Sequence, residues 1–173
     1  MTTTELADRQ TVGKTQVDVI RDEPVIVMTR IFEAPRALVW EAISKPVHFA
    51  QWWGPRRMIN EIVEMDIRPG GKWRIVQRDG KDGPAFEFWG EYLEVTPPEK
   101  SVSTQRFLEF PPILVSIRLE EIGSGRTRLI AEQRLDSMAS REGLLASGMT
   151  NGAGESYDRL EELIAKLAAG ASA

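Results

Sequence analysis

The sequence predicts a single α+β domain in which a curved antiparallel sheet wraps a long C-terminal helix. Between residues 59 and 135, short runs of alternating polar and apolar residues are separated by turns rich in glycine and proline, as in consecutive antiparallel strands. Residues 155–168 instead repeat apolar side chains at helical spacing. A chain of 173 residues is long enough for one domain with a substantial core.

Composition excludes several classes of function. The net charge of −4 gives no basic surface, so nucleic acid is not an expected partner. The absence of cysteine removes disulfides and thiolate metal sites, and suits a reducing cytoplasm. No apolar run approaches the roughly 20 residues of a membrane span, and the N-terminus lacks the basic and apolar stretches of a signal peptide. We expect a cytoplasmic protein without a membrane span.

The two ends of the chain differ from its middle. Residues 1–24 are polar and weakly periodic, which predicts a flexible N-terminal arm, or an added strand at most. The folded domain is expected over residues 25–168. The alanine- and glycine-rich residues 169–173 are expected to form a disordered tail.

The elements of the domain follow from local patterns. Residues 25–32 are rich in β-branched side chains and predict a first strand. Proline then begins each of two short helices, at Pro35 and Pro46. A meander of strands follows, to give about six to seven strands in all. The meander strands are expected at residues 59–67, 72–77, 85–95, 102–110, 113–119 and 127–135.

The last helix is preceded by a lead-in helix at 138–147 and by three glycines, Gly148, Gly152 and Gly154. Each glycine lowers helix stability by up to about 1 kcal/mol relative to alanine. We therefore expect either a bend at this point or a close approach of the helix backbone to another element.

Five sequence motifs, in this order, resemble the helix-grip domains of the START/Bet v 1-like (SRPBCC) superfamily. The closest resemblance is to the bacterial, single-domain branch of activator of heat-shock-protein-90 ATPase homologues, over about residues 25–167. One departure is Ala153, where many relatives have tryptophan. The motifs are residues 30–35 (RIFEAP), 51–55 (QWWGP), 65–73 (MDIRPGGKW), 90–99 (GEYLEVTPPE) and 148–160 (GMTNGAGESYDRL).

The resemblance implies a cavity between sheet and helix that holds a small hydrophobic or amphipathic molecule, without implying a reaction. We expect the ligand beneath residues 148–154, against Trp73 and Phe88. The sequence also leaves open whether the chain forms a homodimer. The expected ligand-binding residues combine the aromatic motif positions with the inward strand positions, and are Trp53, Trp73, Ile75, Phe86, Phe88, Phe107, Leu129, Met149 and Ala153.

No residue pattern predicts catalysis, a metal site or a cofactor. His48 is the only histidine and is interpreted as a surface or packing residue, because one histidine cannot form a histidine-rich metal site. Gly70-Gly71 lacks the lysine and hydroxyl residue of a phosphate-binding loop and predicts a turn. We expect no catalytic residue, no metal and no cofactor.

Two other functions stay open. The first is an enzyme of cyclase, aromatase or hydrolase type, which needs a polar or titratable group in the cavity. The second is a co-chaperone-type protein interaction, suggested by the resemblance alone. The side chains whose orientation would support the enzyme are His48, Glu87, Glu91, Arg106 and Gln133.

Overall fold

A computed structural model describes residues 4–171 of the chain. The strands are β1 Leu6–Val12, β2 Thr15–Ile20, β3 Val25–Phe32, β4 Met58–Met65, β5 Lys72–Asp79, β6 Ala85–Thr96, β7 Lys100–Phe107, β8 Ile113–Glu121 and β9 Thr127–Arg134. The helices are α1 Arg36–Ser44, α2 Pro46–Trp52, α3 Met138–Ala146 and α4 Met149–Ala171. No helix within residues 4–171 is long and apolar enough to cross a membrane.

All strands belong to one open antiparallel sheet in the order β1-β2-β3-β9-β8-β7-β6-β5-β4. Strands β4 to β9 follow one another as the predicted meander, and β9 returns to pair with β3. Helices α1 and α2 carry the chain from β3 to the opposite edge of the sheet, where β4 begins. The α+β prediction with a long C-terminal helix is confirmed.

The predicted flexible arm is wrong for residues 6–20. These residues form the hairpin β1–β2, and β2 pairs with β3, so the sheet has nine strands rather than six to seven. The hairpin turns at Gly13, whose φ of 61° favours glycine. Strand β1 is an edge strand with an almost entirely exposed surface, and its polar sequence therefore lacks the usual alternation. Residues 1–3 lie outside the described part of the chain.

The predicted disordered tail is also wrong for residues 169–171, because α4 continues to Ala171. Alanine has the highest helix propensity, which favours this extension. Residues 172 and 173 lie outside the described residues.

One face of the sheet, here called the inner face, packs against the helices. The stripe of α4 that points toward it contains Tyr157, Leu160 and Ile164, all of which are buried. They join side chains from β2, β3, β8, β9 and α1 in the main hydrophobic core. The strand residues of this core include Val17, Ile26, Met28, Phe32, Leu119, Leu129 and Ala131.

Close contacts explain the glycines near the start of α4. A Cβ atom at Gly154 would lie 2.8 Å from the Cγ1 atom of Val12 on β1, and one at Gly152 would lie 3.3 Å from the Cγ atom of Pro55. The expected close approach of the helix backbone to another element is therefore present. One of the two elements that it approaches is the β1–β2 hairpin, which was not predicted as a hairpin. Gly148, with a φ of 83°, separates α3 from α4.

Arg30 on β3 connects this strand to β2 and to α4. Its side chain is 0% exposed, and its Nη2 atom donates to the Asp158 carboxylate on α4 at 2.9 Å. Its Nη1 atom donates to the Thr15 hydroxyl on β2 at 3.0 Å. A second carboxylate, on Glu161, lies 3.6 Å from Nη2. A buried guanidinium must be paired, so these contacts fix α4 against β2 and β3.

Replacing Asp158 tests this connection. We expect Asp158→Asn to lower the free energy of unfolding by about 2–3 kcal/mol, because the Arg30 charge stays buried without its nearest anion. Glu33→Gln is the matched control, since Glu33 pairs with Arg126 at the surface and its loss should change stability by less than about 1 kcal/mol. Urea unfolding of both variants measures the difference. Equal effects would contradict a structural role for the buried pair.

Candidate functional site

The inner face contains two hydrophobic clusters. The main core lies under the regular part of α4, and a second cluster is built on Trp73, Ile75 and Tyr92 of β5 and β6. Trp53, just after α2, packs against both clusters. The candidate site lies where the two clusters meet.

Contacts from α4 hold Trp53 in this position. The Arg159 guanidinium donates from Nη2 to the Gln51 carbonyl and from Nη1 to the Gly54 carbonyl, each at 2.8 Å. The Ser156 hydroxyl accepts a hydrogen bond from the Gly54 amide at 2.7 Å. These bonds satisfy backbone groups at the end of α2 that the helix itself leaves unpaired. As a result, the segment from Gln51 to Gly54, which includes Trp53, is fixed to α4.

Burial changes along the inward stripe of α4. Tyr157 is 7% exposed and Leu160 0% exposed, whereas Ala153 and Met149, one and two turns earlier on the same stripe, are only half-buried. Both of these side chains pack against the main core. Apolar surface on the inward stripe is therefore exposed only toward the N-terminal end of this part of α4.

Aromatic rings extend from Trp53 along the sheet. Phe88 on β6 and Phe107 on β7 stack with their centroids 4.6 Å apart, and the Trp53 ring meets Phe88 edge-on at 5.0 Å. Phe110, which is 64% exposed, stacks on Phe107 at 6.2 Å. These four rings, here called the aromatic row, extend from the second cluster to solvent. Met149 and Ala153 pack against the main core that Trp53 also contacts, and we call the surface formed by these two side chains and the aromatic row the recess.

The expected ligand-binding residues fall into two groups. Ile75 and Leu129 are each 1% exposed and Trp73 is 8% exposed, so they support the wall from within. The other six are half-buried. One of them, Phe86, contacts the aromatic row, because the centroid of its ring lies 6.1 Å from that of Phe107. The half-buried six are Trp53, Phe86, Phe88, Phe107, Met149 and Ala153. Ligand contact by any of the predicted residues stays a prediction.

Gly90 allows the Trp73 ring to lie across β6. The Trp73 Nε1 atom donates to the Thr104 carbonyl on β7 at 3.1 Å. A Cβ atom at Gly90 would lie 1.8 Å from that carbonyl oxygen and 2.7 Å from Nε1. Glycine is therefore required here to let the indole ring reach the next strand and form the floor beside the aromatic row.

Two shallow clefts are present elsewhere on the surface. One, of about 320 Å³, lies between the β1–β2 hairpin and α3 beside Val19 and Arg141. The other, of about 460 Å³, is lined mainly by charged side chains, including Arg36 and Arg118. None of the expected ligand-binding residues lines either cleft.

Most of the side chains whose inward orientation would support an enzyme lie away from the recess. Glu87 alternates with Phe86 and Phe88 and pairs on the outer face with Arg74 at 2.6 Å. Glu91 and Arg106 are exposed. His48 lies on α2 with its Nε2 atom 3.6 Å from Glu41. Only Gln133, on β9, is on the inner face, because it pairs with Ile26 and Val115.

A row of polar side chains lies on the inner face, and of its members only Gln133 was a predicted candidate. Strand pairing aligns Gln133 with Val115, Val115 with Ser103, and Ser103 with Tyr92. Gln105 lies two residues from Ser103 and two from Phe107, on the same side of β7. The two-residue period of β7, counted back from the inward Phe107, predicts that Gln105 and Ser103 also point inward.

Both tyrosines of the chain lie in the apolar interior. Burial raises the pKa of Tyr92 and of Tyr157 above the ordinary value, because the phenolate form loses its hydration there. Tyr157 also packs between Phe32 and Trp52. Both hydroxyl groups therefore stay protonated in the folded chain at neutral pH.

Comparison with known proteins agrees with this architecture. The family model described as activator of Hsp90 ATPase homolog 1-like protein matches residues 33–165. A crystal structure from Nitrosomonas europaea is 27% identical with a TM-score of 0.76, and covers 84% of this chain and 96% of that chain. A Rhodobacter sphaeroides structure has a TM-score of 0.80 at 21% identity, covering 88% and 99%, and shows likeness of fold alone. A comparison with curated proteins finds no significant match.

Alanine at position 90 tests the close contact across β6. We expect Gly90→Ala to lower stability by about 2 kcal/mol and to shift tryptophan emission, because Trp73 or β7 must move. Gly143→Ala on α3 is the control, since its Cβ would meet nothing within 4 Å, and it should stabilise by up to about 1 kcal/mol. Thermal unfolding of both variants, followed by tryptophan fluorescence, gives the comparison. A Gly90→Ala protein as stable as the parent would contradict the contact.

Alkaline titration tests the burial of the tyrosines. With raised pKa values, the folded chain retains protons that the unfolded chain releases above about pH 10, so stability should fall as the pH rises beyond that value. Phenolate absorbance should therefore appear together with loss of the circular-dichroism signal. Phenolate absorbance at about pH 10 in a fully folded protein would be the contrary result.

Proposed function

Because the chain belongs to the family of activator of Hsp90 ATPase homolog 1-like proteins, we propose that it binds a small hydrophobic or amphipathic molecule in the recess. The fold of this family is commonly a ligand-binding one. The ligand would lie between the aromatic row and the N-terminal end of α4. The proposal includes the cytoplasmic location expected from the cysteine-free sequence.

The observation that supports this proposal most strongly is the change of burial along α4. The same inward stripe is fully buried at Leu160 and only half-buried at Met149 and Ala153. Two sets of hydrogen bonds, from Arg30 to Asp158 and from Arg159 to the end of α2, hold the buried part of the helix. Met149 and Ala153 pack against the main core but keep part of their apolar surface exposed, and a ligand can cover that surface.

The composition of the recess favours an apolar ligand. Phenylalanine and tryptophan rings supply large contact areas, and binding pockets for small molecules are mostly lined by such side chains. Half-exposed rings are hydrated in the free protein, and covering them releases that water. Met149 adds a flexible side chain that can adapt to different ligand shapes.

We propose binding rather than catalysis on the basis of the strands that form the wall. Pairing places one charged side chain on the inner face of β6 to β9, Glu121 at the end of β8, and this carboxylate is exposed and lies 4.0 Å from Arg36 of α1. The buried titratable side chain of this face is Tyr92, whose pKa is raised by burial. A general acid or base would need a pKa nearer to neutral pH.

Filling the recess tests the proposal. The probe is N-phenyl-1-naphthylamine, an uncharged dye whose fluorescence rises in apolar sites. We expect saturable binding to the parent chain and at least roughly tenfold weaker binding to Ala153→Trp, because the indole would occupy the space between helix and sheet. Ala165→Trp makes the same change on the exposed side of α4 and should bind like the parent.

Melting curves of both tryptophan variants show whether each is folded at the titration temperature. Absence of saturable binding to the folded parent chain would overturn the proposal. Equal binding by Ala153→Trp and Ala165→Trp would place the dye elsewhere and overturn the assigned site.

A further inference from the structure

The geometry points to an uncharged ligand with a hydroxyl or similar hydrogen-bond donor, held at its polar end by Gln133 and at its apolar end by the aromatic row. This inference rests on the proposed function and names the chemical class of the ligand. Two observations lead to it: an unpartnered amide oxygen on the inner face, and the absence of charge around it.

The amide oxygen belongs to Gln133. Its Oε1 atom is buried and accepts no hydrogen bond from the described part of the protein. Buried polar atoms are nearly always hydrogen-bonded, and an unpaired one destabilises the folded state. An amide at this position, between Ile26 and Val115, is therefore explained by a partner from outside the chain.

Further polar side chains lie on the inner face between Gln133 and the aromatic row. Ser103 and Tyr92 follow it across the sheet in the same row, and Gln105 lies one row closer to Phe107. Strand spacing puts Gln105 about 7 Å, and Ser103 about 13 Å, from Phe107 along β7. Gln133 lies two strands across the sheet from Ser103, which is about 10 Å. A ligand that touches both Gln133 and the aromatic row is therefore elongated, as a molecule of about four fused rings is.

The charge of the surroundings selects among polar end groups. A carboxylate or phosphate needs a cation or several donors when it leaves water. The inner face of β6 to β9 offers no cation. Arg30 on β3 lies two inward rows from Gln133. The Arg30 Nη1 and Nη2 atoms are paired with Thr15 and Asp158, so that only its Nε atom is without a hydrogen-bond partner among the described residues. A hydroxyl fits better, because it can donate to the amide oxygen and accept from the amide NH₂ group.

A set of matched naphthalenes, which represent the polar end of such a ligand, tests the contact with Gln133 by isothermal titration calorimetry. The probes are 2-naphthol, its methyl ether 2-methoxynaphthalene, which lacks the donor, and 2-naphthoate, which is charged. We expect 2-naphthol to bind about five- to tenfold more tightly than the methyl ether, as for one hydrogen bond to a buried acceptor. 2-Naphthoate should bind more weakly than 2-naphthol.

Two variants assign the preference to Gln133. In Gln133→Met, which is close in volume, 2-naphthol and its methyl ether should bind equally well. This variant should fold at least as stably as the parent, because it removes an unpaired buried oxygen. Gln51→Met, at an exposed position on α2, is the matched control and should keep the five- to tenfold preference.

The outcomes separate this inference from the proposed function. If 2-naphthol and its methyl ether bind the parent chain equally, or if Gln133→Met keeps the preference, the role of Gln133 is overturned while binding in the recess stands. Tightest binding of 2-naphthoate would overturn the uncharged class. If neither the naphthalenes nor N-phenyl-1-naphthylamine binds, the proposed function itself fails.

Discussion

The buried guanidinium of Arg30 determines how the long helix sits on the sheet. It lies on the inner face of β3, donates to Thr15 on β2 and to Asp158 on α4, and packs near the Phe32 ring at 5.7 Å. A fully buried cation tolerates few arrangements, because any displacement of its partners leaves the charge unpaired. The position of α4 relative to the first strands is therefore fixed at this point.

Contacts hold α4 along much of its length. Arg159 and Ser156 bind the end of α2, so the helix is held on two sides near its middle. Toward Gly148, the glycines Gly152 and Gly154 bring the helix backbone close to Pro55 and to Val12 of β1. On the inward stripe of the same turns, Met149 and Ala153 stay half-buried, whereas the later residues Leu160 and Ile164 are buried in the main core.

Some features of this arrangement follow from the sequence and others do not. Alternation predicts β3 to β9 and the inward direction of Phe88 and Leu129, since it depends only on the strand period. Alternation does not predict how deeply an inward side chain is buried. Phe88 is half-buried and Leu129 is 1% exposed, although both point inward. Depth depends on which part of α4 lies above each residue, and that is set by long-range contacts such as Arg30 with Asp158.

The edge hairpin and the polar row show two further limits. Strand β1 is stabilised by backbone pairing with β2 and has little apolar surface, so its polar sequence resembles that of a loop. The inward polar residues Ser103 and Gln105 are visible from the alternation of β7, but only strand pairing shows that Ser103 lies beside Tyr92 and in the same row as Gln133. Register between distant strands is not encoded in either strand alone.

The central claim is that α4 has a packed half and an open half, and that a ligand covers the open one. Hydrogen exchange of the backbone amides, followed by mass spectrometry with and without N-phenyl-1-naphthylamine, tests this most directly. The account predicts slow exchange over residues 157–167 in both conditions. Residues 149–154 should exchange faster and become protected when the dye is added. Equal protection along the whole helix, unchanged by the dye, would contradict it.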